Sequence, residues 1–310
     1  MGYSHPLYAQ SLHEFGEPRE LPHCGGWILV RKIPGTQYED AMGCYPLFAC
    51  HDWMKLHTDL EEIGRDLISV VLVTDPFGAN EPDYLRRCFR DVVLPFKAHF
   101  VADLQFPLEE IVGRRHRKNA RRALRKMQVD VLREPVHLVD EWLALYNHLV
   151  ERHNVSGIRA FSREAFTNQL SIPGTVVLCA MYEGQIVAAQ IYFVQGEVAY
   201  CHLGAANQFG YDLGAFYALD FYAVEYFADK VHWLDLGGGA GITTDGTDGL
   251  STYKRGWSTE THTSYLCGRI FNRELYEEIL RFTNIGETDY FPAYRKGEFG
   301  GRPNNLVEIG

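Results

Sequence analysis

The chain has 310 residues with 46% hydrophobic and 13% aromatic content, which is enough to bury one large core or two of ordinary size. Its apolar runs, such as residues 67–73, are far shorter than the roughly 20 residues of a bilayer-spanning helix. The net charge of −10 argues against nonspecific nucleic-acid binding over the whole surface. We therefore expect a globular protein without a membrane span and without DNA as a partner.

Neither the cysteines nor the histidines form a metal or redox motif. Seven cysteines without a C-x-x-C pair are typical of a reducing compartment. The histidines include no H-x-x-x-H, and His148 and His153 are five residues apart, so they do not share a helix face. The N-terminus has no basic flank before an apolar run, and Pro6 stands where a myristoylation signal has Ser or Thr. We expect a cytoplasmic protein without a metal site.

The first third of the chain alternates strand and helix patterns. The run 67–73 is too uniformly apolar for a solvent-facing edge and indicates a buried strand. The predicted strands are 27–33, 67–73 and 98–104, and the predicted helices are 57–66 and 84–93.

A strongly basic segment follows at residues 114–126, with eight Lys or Arg and no acid. Apolar residues from Ala120 to Met127 recur at helical spacing and indicate one buried face. A second face carries a basic stripe of Arg114, Lys118, Arg121 and Arg125. Two interpretations stay open, a solvated outer face of a packed helix and a surface that binds phosphates. No carboxylate forms i, i+4 pairs within the segment, which favours the second.

The rest of the chain predicts an antiparallel meander framed by helices. The glycine turns after Glu183 and Gln195 separate three consecutive strands. The predicted helices are 139–149, 163–170 with Ser162 as its cap, 213–227 after a polar loop at 208–212, and 273–282. The predicted strands are 175–182, 185–194, 197–205, 231–236 and 263–270.

The stretch 233–257 carries the strongest local signal. Three glycines, Gly237, Gly238 and Gly239, follow a short apolar strand, and Gly241 follows them. Such a cluster indicates close backbone approach or positive φ. After a polar turn comes the basic and aromatic segment Y-K-R-G-W at 253–257. A nucleotide-binding loop and the wall of an acyltransferase site both fit this stretch.

Nucleotide-binding folds fit the surrounding chain poorly. The segment L-D-L-G-G-G-A-G is similar to the first motif of S-adenosylmethionine methyltransferases, but that fold needs a helix directly after it. Turn-forming residues follow instead, and only 69 residues remain after Gly241. The dinucleotide fingerprint fails because Thr244 stands where a glycine is needed. The acyltransferase interpretation is therefore favoured.

Several motifs together resemble a known family. They are R-K-I-P-G at 31–35 with Tyr45-Pro46, R-R-A-L-R-K at 121–126, H-L-G-A-A at 202–206, and D-L-G-G at 235–238 followed by G-L-S-T-Y-K-R-G-W at 249–257. Residues 136–284 resemble an acetyltransferase-type (GNAT) unit, and the chain from Trp27 onwards resembles the Fem-type branch of that superfamily. The resemblance implies an α/β (α+β) fold of two tandem GNAT-like units, each a mixed, largely antiparallel sheet flanked by helices.

The resemblance also implies amide-forming acyl transfer to an amine. The donor is an aminoacyl-tRNA in Fem-type enzymes and an acyl-coenzyme A in ordinary GNAT enzymes, as a co-substrate rather than a tightly bound cofactor. Lys254 matches the family lysine that lies near the donor, and a cation beside a developing oxyanion is a major term in acyl transfer. A surface lysine is the alternative. The implied donor-binding residues are Gly237, Gly238, Gly239, Tyr253, Arg255, Trp257, Gly210 and Gly214.

The choice of donor depends on the start of the helix after the meander. Acyl-coenzyme A enzymes carry Q/R-x-x-G-x-G/A there, so that backbone N–H groups cradle the pyrophosphate. Here Gly210 and Gly214 lack that spacing, and Asp212 would repel a pyrophosphate. The basic stripe could instead meet tRNA phosphates, although the coiled-coil arm of some Fem-type enzymes is absent. We therefore prefer aminoacyl-tRNA slightly.

A general base must take the proton of the attacking amine. Tyr200 and His202 share one face of the third meander strand, with Cys201 and Leu203 on the other. His202, with Tyr200 as a second proton carrier, is therefore the predicted base, and a hydrogen-bonded core histidine is the alternative. Asp235 and Asp248 have simple structural interpretations: Asp235 ends its strand, and Asp248 holds the loop.

We thus predict a Fem-type N-acyltransferase acting on an amine-bearing small molecule or peptide. The predicted domains are an N-terminal GNAT-like half at 1–135 and a C-terminal half at 136–310 that carries the donor site, with a tail at 285–310 packing back on the first half. The alternatives are an acyl-coenzyme A-dependent N-acetyltransferase and a non-catalytic binding protein on the same fold.

Overall fold

The structure is a computed structural model that describes residues 1–78, 81–153, 157–240 and 248–298. Its strands are β1 (Glu17–Leu21), β2 (Gly26–Lys32), β3 (Glu39–Gly43), β4 (Ser69–Val73), β5 (Val92–Asp103), β6 (Gln128–Val131), β7 (Thr175–Tyr182), β8 (Gln185–Gln195), β9 (Val198–Ala206), β10 (Trp233–Gly238) and β11 (Glu260–Ile270). Its helices are α1 (Pro6–Gln10), α2 (Leu56–Ile63), α3 (Pro82–Cys88), α4 (Leu108–Ile111), α5 (Arg114–Leu124), α6 (Val139–His153), α7 (Arg163–Leu170), α8 (Gln208–Leu213), α9 (Ala215–Phe227), α10 (Gly249–Arg255) and α11 (Arg273–Thr283).

Contacts divide the chain into two compact units. Among the described residues, the first comprises 1–2, 98–153, 157–240 and 248–262, and the second comprises 3–78, 81–97 and 263–298. These units are defined by contacts within the chain, whereas the predicted halves 1–135 and 136–310 are defined by two GNAT-like folds. The predicted halves therefore stay a prediction. Among the described residues no helix is long and apolar enough to cross a membrane.

The first unit contains a sheet with the strand order β5-β10-β9-β8-β7-β6. β10 pairs in parallel with β9, and the other neighbours are antiparallel. The predicted meander is therefore confirmed as β7, β8 and β9. Its core is centred on α9, whose Leu219 and Phe227 are fully or almost fully buried, and α5 adds its buried Ala120 and Ala123.

The second unit contains the order β1-β2-β3-β4-β11, in which only β3 and β4 pair in parallel. Its chain segment after α11 is held by a buried ion pair, because Arg295 donates to both carboxylate oxygens of Asp40 at 2.6 and 2.8 Å. Each unit is thus a mixed, largely antiparallel sheet with helices, and the predicted fold class is confirmed.

Some predicted element boundaries are wrong for identifiable reasons. The helix predicted at 84–93 ends at Cys88, and β5 begins at Val92, because Val92, Val93 and Pro95 disfavour a helix. The polar loop predicted at 208–212 is α8, whose N-terminus is capped by Asn207. The long helix then begins at Ala215, after Gly214 adopts φ +73.

Candidate active site

The sheet of the first unit opens between its two parallel strands. Trp233 to Asp235 of β10 pair with Val198 to Tyr200 of β9, and pairing stops there although both strands continue. A cavity of about 430 Å³ lies beyond this point and is lined by Cys201 and Gly204 of β9 and by Leu236 of β10. The separation of the strands therefore creates room for a ligand inside the sheet layer.

Helices α8, α9 and α10 supply most of the other walls of this cavity. Most of the lining is apolar or aromatic, which suits a cavity that excludes water from a reacting group. The lining includes Gly210, Tyr211, Gly214, Ala215, Phe216, Tyr217 and Asp220 from the α8–α9 region, and Gly249, Leu250, Tyr253, Lys254 and Trp257 from α10 and the residues after it. The predicted donor-binding residues Gly210, Gly214, Tyr253 and Trp257 are thus together in one cavity.

Helix α10 begins at a side-chain cap rather than in a loop. Asp248 accepts a hydrogen bond from the Ser251 backbone N–H at 2.8 Å and from Ala240 N–H at 3.2 Å. The pKa of Asp248 is lowered, because hydrogen bonds from Ser251, Ala240 and Leu250 outweigh the opposing effect of burial. Asp248 therefore holds the loop, in agreement with its structural interpretation. It also caps the N-terminus of a helix that the sequence pattern does not predict.

Lys254 is placed at the cavity wall by this helix. The side chain is only 7% exposed, and its Nζ donates to the Gly238 carbonyl at 2.7 Å. Gly237 has φ +81, and a Cβ there would lie 3.3 Å from Lys254 Nζ. A Cβ on Gly239 would lie 2.1 Å from Ser251 Oγ. The glycines 237–239 thus make room for Lys254 and for the start of α10, and they are not among the cavity-lining residues.

A buried carboxylate lines the same cavity as Lys254. Asp220 of α9 is 4% exposed and accepts hydrogen bonds from Gln190 Nε2 at 2.7 Å and from the Tyr253 hydroxyl at 2.5 Å. Gln190 Oε1 accepts in turn from the Tyr192 hydroxyl at 2.8 Å. Burial raises the pKa of Asp220 to about 6, although the bonds from Tyr253 and Gln190 and the Lys254 charge oppose this rise. Asp220 is therefore ionised at neutral pH.

Neither Asp220 nor Gln190 belongs to a motif that identifies it as a site residue in the sequence. A signal exists, because Asp220 is the only charged residue within the apolar and aromatic segment A-F-Y-A-L-D-F-Y-A-V at 215–224. Burial of a carboxylate costs free energy unless it is compensated, so such a residue indicates a function or a buried network. The meander partner Gln190 has no comparable signal in the sequence.

His202 and Tyr200, the predicted proton carriers, do not line the cavity. A bulge in β9 places Cys201 opposite Tyr192 and Leu203 opposite Ile191, so His202 is the extra residue. His202 Nε2 lies 3.2 Å from Gln169 Oε1, and its ring packs 4.7 Å from that of Phe193. Burial lowers the pKa of His202 to about 3. This placement favours the alternative, a hydrogen-bonded core histidine.

Asp235 and His99 form a buried pair next to the opening of the sheet. His99 Nδ1 lies 2.9 Å from Asp235 Oδ2, and their side chains are 10% and 2% exposed. Asp235 Oδ1 also accepts from the Gly237 backbone N–H at 2.7 Å. Asp235 therefore does more than end its strand, because it organises the turn that holds Lys254.

The basic stripe lines a surface groove of its own. Arg114, Lys118, Arg121 and Arg125 of the stripe, together with Arg117, border a groove of about 410 Å³ that no acidic side chain of the described residues lines. Arg117 also pairs with Glu109 at 3.6 Å. We refer to these five cationic residues as the basic groove.

The basic groove and the cavity are joined through one histidine of α5. His116 Nε2 lies 3.0 Å from the Tyr253 carbonyl oxygen, and its ring is 5.2 Å from the Trp257 ring. A Cβ on Gly256 would lie 2.2 Å from the His116 ring, so this glycine permits the contact. Helix α5 therefore docks directly on α10 and the residue after it.

The predicted donor contact Arg255 lies outside the cavity, as the glycines 237–239 do. Arg255 is exposed and lies 5.8 Å from the centre of the Phe100 ring rather than in the cavity. Asp212, expected to repel a pyrophosphate, accepts from Gln208 Nε2 at 2.8 Å and is not a lining residue. Gly241, the fourth glycine of the glycine-rich stretch, lies outside the described residues.

One cluster of possible metal ligands occurs among the described residues. The ligand atoms of His23, Asp59 and Glu62 lie within 4.8 Å of one another. Asp59 already accepts from the backbone N–H groups of His23 and Cys24, at 3.1 and 2.8 Å. These bonds explain Asp59 as a turn cap, and the expected lack of a metal site stays a prediction.

Comparison with known families and structures agrees with this geometry. Residues 114–255, from the start of α5 to the end of α10, match the family model described as an acetyltransferase (GNAT) domain. No curated protein sequence matches the chain.

Solved structures with a similar fold match most of the chain. FemX is 11% identical with a TM-score of 0.65, covering 88% of this chain and 93% of that one. L-PGS from Bacillus licheniformis is 15% identical with a TM-score of 0.61, covering 93% and 99%. The C-terminal domain of a putative lysylphosphatidylglycerol synthetase from Agrobacterium fabrum is 14% identical with a TM-score of 0.60, covering 90% and 91%. The predicted resemblance to Fem-type GNAT proteins is therefore confirmed at the level of the fold.

Proposed function

We propose that the protein is an N-acyltransferase that forms an amide in the cavity between β9 and β10. The observation that carries this proposal is the presence of one cation, Lys254, and one buried carboxylate, Asp220, on the described walls of an otherwise largely apolar cavity. The match of residues 114–255 to a GNAT domain supports the same reaction class. The acceptor is an amine-bearing small molecule or peptide.

Lys254 supplies the charge that acyl transfer needs. When an amine attacks the acyl carbonyl, its oxygen becomes an oxyanion, and a preorganised cation in a water-poor site stabilises that charge strongly. The Gly238 carbonyl and the start of α10 fix Lys254 before any substrate arrives. This arrangement favours the transition state over the uncharged ground state.

Asp220 favours an aminoacyl group over a simple acyl group. An aminoacyl ester carries an ammonium next to its carbonyl. The cavity offers the Asp220 carboxylate for the ammonium and Lys254 for the carbonyl oxygen. Aromatic rings of Phe216, Tyr217 and Tyr253 also line the cavity and attract cations. An acetyl group would leave the buried Asp220 charge without a counterpart on the ligand.

The basic groove supports tRNA as the carrier of that aminoacyl group. Five cationic side chains of α5 and the residue after it line the groove, and His116 of the same helix contacts the Tyr253 carbonyl beside the cavity. A nucleic-acid backbone binds such a row of cations through its phosphates. An aminoacyl-tRNA could thus reach the cavity with its acylated end while its phosphates occupy the groove.

An acyl-coenzyme A is the second donor candidate. GNAT domains generally use it, and the start of α9, at Gly214 and Ala215, lines the cavity. Backbone N–H groups at a helix start bind phosphates, and Asp212 lies away from this lining. A non-catalytic binding protein on the same fold is the third possibility, and it predicts ligand binding without turnover.

A transfer assay with matched donors tests the function. The purified protein is incubated with alanyl-, seryl- or lysyl-tRNA or with acetyl-coenzyme A, together with a panel of amines and peptides, and amide products are detected by mass spectrometry. We expect amide formation from aminoacyl-tRNA. Products only from the coenzyme would reject the aminoacyl preference, and tight donor binding without any product would favour the binding-protein alternative.

The basic groove makes a separate prediction for binding. We expect the double variant Arg121→Ala/Arg125→Ala to bind every tRNA tested more weakly than the wild type does. The magnitude of the slope of log K against log salt concentration should fall by about 1 for each lost phosphate contact. Filter binding between low and moderate salt measures both quantities. The matched control is Arg86→Ala/Arg281→Ala, which removes two exposed arginines of the second unit. Equal slopes for both variants would show that the basic groove is only a solvated face.

A further inference from the structure

A histidine that the predicted mechanism does not use is held as a general base would be. His99 Nδ1 faces both carboxylate oxygens of Asp235, at 3.1 and 2.9 Å. A carboxylate accepts hydrogen bonds, so Nδ1 carries the proton and Nε2 carries the lone pair in the neutral ring. Nε2 makes no hydrogen bond to a described residue, and the His99 side chain is 10% exposed.

The position of this pair coincides with the opening of the sheet. Asp235 is the last β10 residue that pairs with β9, and Cys201, the next residue of β9, lines the cavity. Leu234 and Leu236 pack in the core beside the cavity. Side chains alternate along a strand, so Asp235 lies on the opposite face of the sheet. His99 lies on the neighbouring strand, with its Cα opposite that of Gly238.

The His99–Asp235 pair is also connected by hydrogen bonds to the segment that holds Lys254, the cation proposed to stabilise the oxyanion. Both carboxylate oxygens of Asp235 lie within 3.1 Å of His99 Nδ1, and Oδ1 also accepts from the Gly237 N–H at 2.7 Å. The next carbonyl, that of Gly238, accepts from Lys254 Nζ at 2.7 Å. The segment 235–238 therefore contacts both the imidazole of His99 and the ammonium of Lys254.

We propose that His99, oriented by Asp235, accepts the proton of the attacking amine, with the acyl donor in the cavity and the acceptor approaching from the opposite face of the sheet. This role rests on the proposed acyl transfer. The amine nitrogen forms a bond to the acyl carbon, and its proton moves to His99 Nε2. The carbonyl is restored as the bond from carbon to the donor oxygen (sulfur for a thioester) breaks, and the imidazolium returns the proton to that leaving atom.

Other titratable groups fit this step less well. His202 is bonded to Gln169 and packed between Phe193 and Phe161 away from the cavity. Asp220 lies on the donor side of the sheet, where its two oxygens are engaged by Gln190 and Tyr253. An imidazole held through Nδ1 by a buried carboxylate keeps the lone pair of its second nitrogen for a proton from an amine.

The test uses variants of His99 and Asp235 in the transfer assay. We expect His99→Gln to lower kcat by about 10²- to 10³-fold with KM within about threefold, since general-base catalysis contributes about 10²–10⁴. We expect added imidazole to restore part of the kcat of His99→Ala, which a structural role would not allow. Asp235→Asn retains an oxygen for the Gly237 N–H but no longer fixes the imidazole, and we expect a loss of about 10- to 100-fold.

The control is His232→Gln, which removes the imidazole of a more exposed histidine–carboxylate pair, His232 with Asp103 at 3.1 Å. Wild-type kcat in His99→Gln, or loss in His99→Ala that imidazole does not relieve, would overturn the role of His99 and leave the transferase function standing. A wild-type protein without turnover on any donor would overturn both. If His99→Gln does not fold, Asp235→Asn decides, and full activity of that variant rejects the proposal.

Discussion

Replacement of Lys254 by methionine is expected to lower kcat by about 10²- to 10³-fold, because loss of one preorganised oxyanion donor typically costs this much. The methionine retains most of the aliphatic volume at a position that is 7% exposed, so the fold should persist. KM for the donor should change little, since the charge acts mainly on the transition state. Steady-state kinetics with the preferred donor measures both constants, and thermal unfolding confirms that the variant is folded.

Two further variants isolate the effect of the charge at this position. Lys254→Arg keeps a cation but cannot place a single point charge at the Gly238 carbonyl, so partial activity is expected. Lys230→Met removes an exposed lysine at the end of α9 that bonds the Tyr226 carbonyl and Asp229, and it should behave as the wild type. Should Lys254→Met turn over within about threefold of the wild type, the oxyanion role would be rejected, and a buried structural lysine would remain.

Local patterns in the sequence are sufficient for much of the fold. The alternation of apolar residues and the glycine turns after Glu183 and Gln195 place β7, β8 and β9 to within a residue or so of their observed ends. Ser162 caps α7 as predicted, with its side chain accepting from the Ala165 N–H. These features depend on neighbours within a few positions, which a single sequence displays.

The site depends on contacts that no local pattern displays. His99 and Asp235 are 136 positions apart and meet only because β5 pairs with β10. The β9 bulge interrupts simple alternation, so strand parity does not show which residues face the cavity. The motif at 253–257 identifies Lys254, whereas its partner, the Gly238 carbonyl, depends on the helix that Asp248 starts.

Replacement of Asp220 by asparagine should reduce the preference for an aminoacyl donor. We expect kcat/KM for the aminoacyl substrate to fall by about 10- to 100-fold, as for removal of a charged hydrogen-bonding partner in a buried site, and that for a matched donor without the amino group to change far less. The asparagine can still accept from Gln190 through its oxygen and donate to the Tyr253 oxygen. Competition between alanyl and propionyl donors measures the ratio directly, and equal losses for both donors would reject an ammonium-binding role.

The stability of the same Asp220→Asn variant relative to the wild type should rise as pH rises from 3.8 to about 6. An aspartate in the unfolded chain titrates near its ordinary value of 3.8, whereas burial raises the pKa of Asp220 to about 6 in the fold. Between these values the folded state binds the proton more tightly, so wild-type stability falls as pH rises through this window, by about 3 kcal/mol in total. The asparagine side chain does not titrate. The free energy of unfolding, measured with urea, should therefore exceed that of the wild type by more at a pH above this window than at a pH near its lower end.

A difference in unfolding free energy that is the same at both pH values would mean that the ionised carboxylate is fully compensated by Gln190, Tyr253 and Lys254. The cavity would then contain no unneutralised charge to attract an ammonium, so stability and donor selectivity test one electrostatic property by independent measurements.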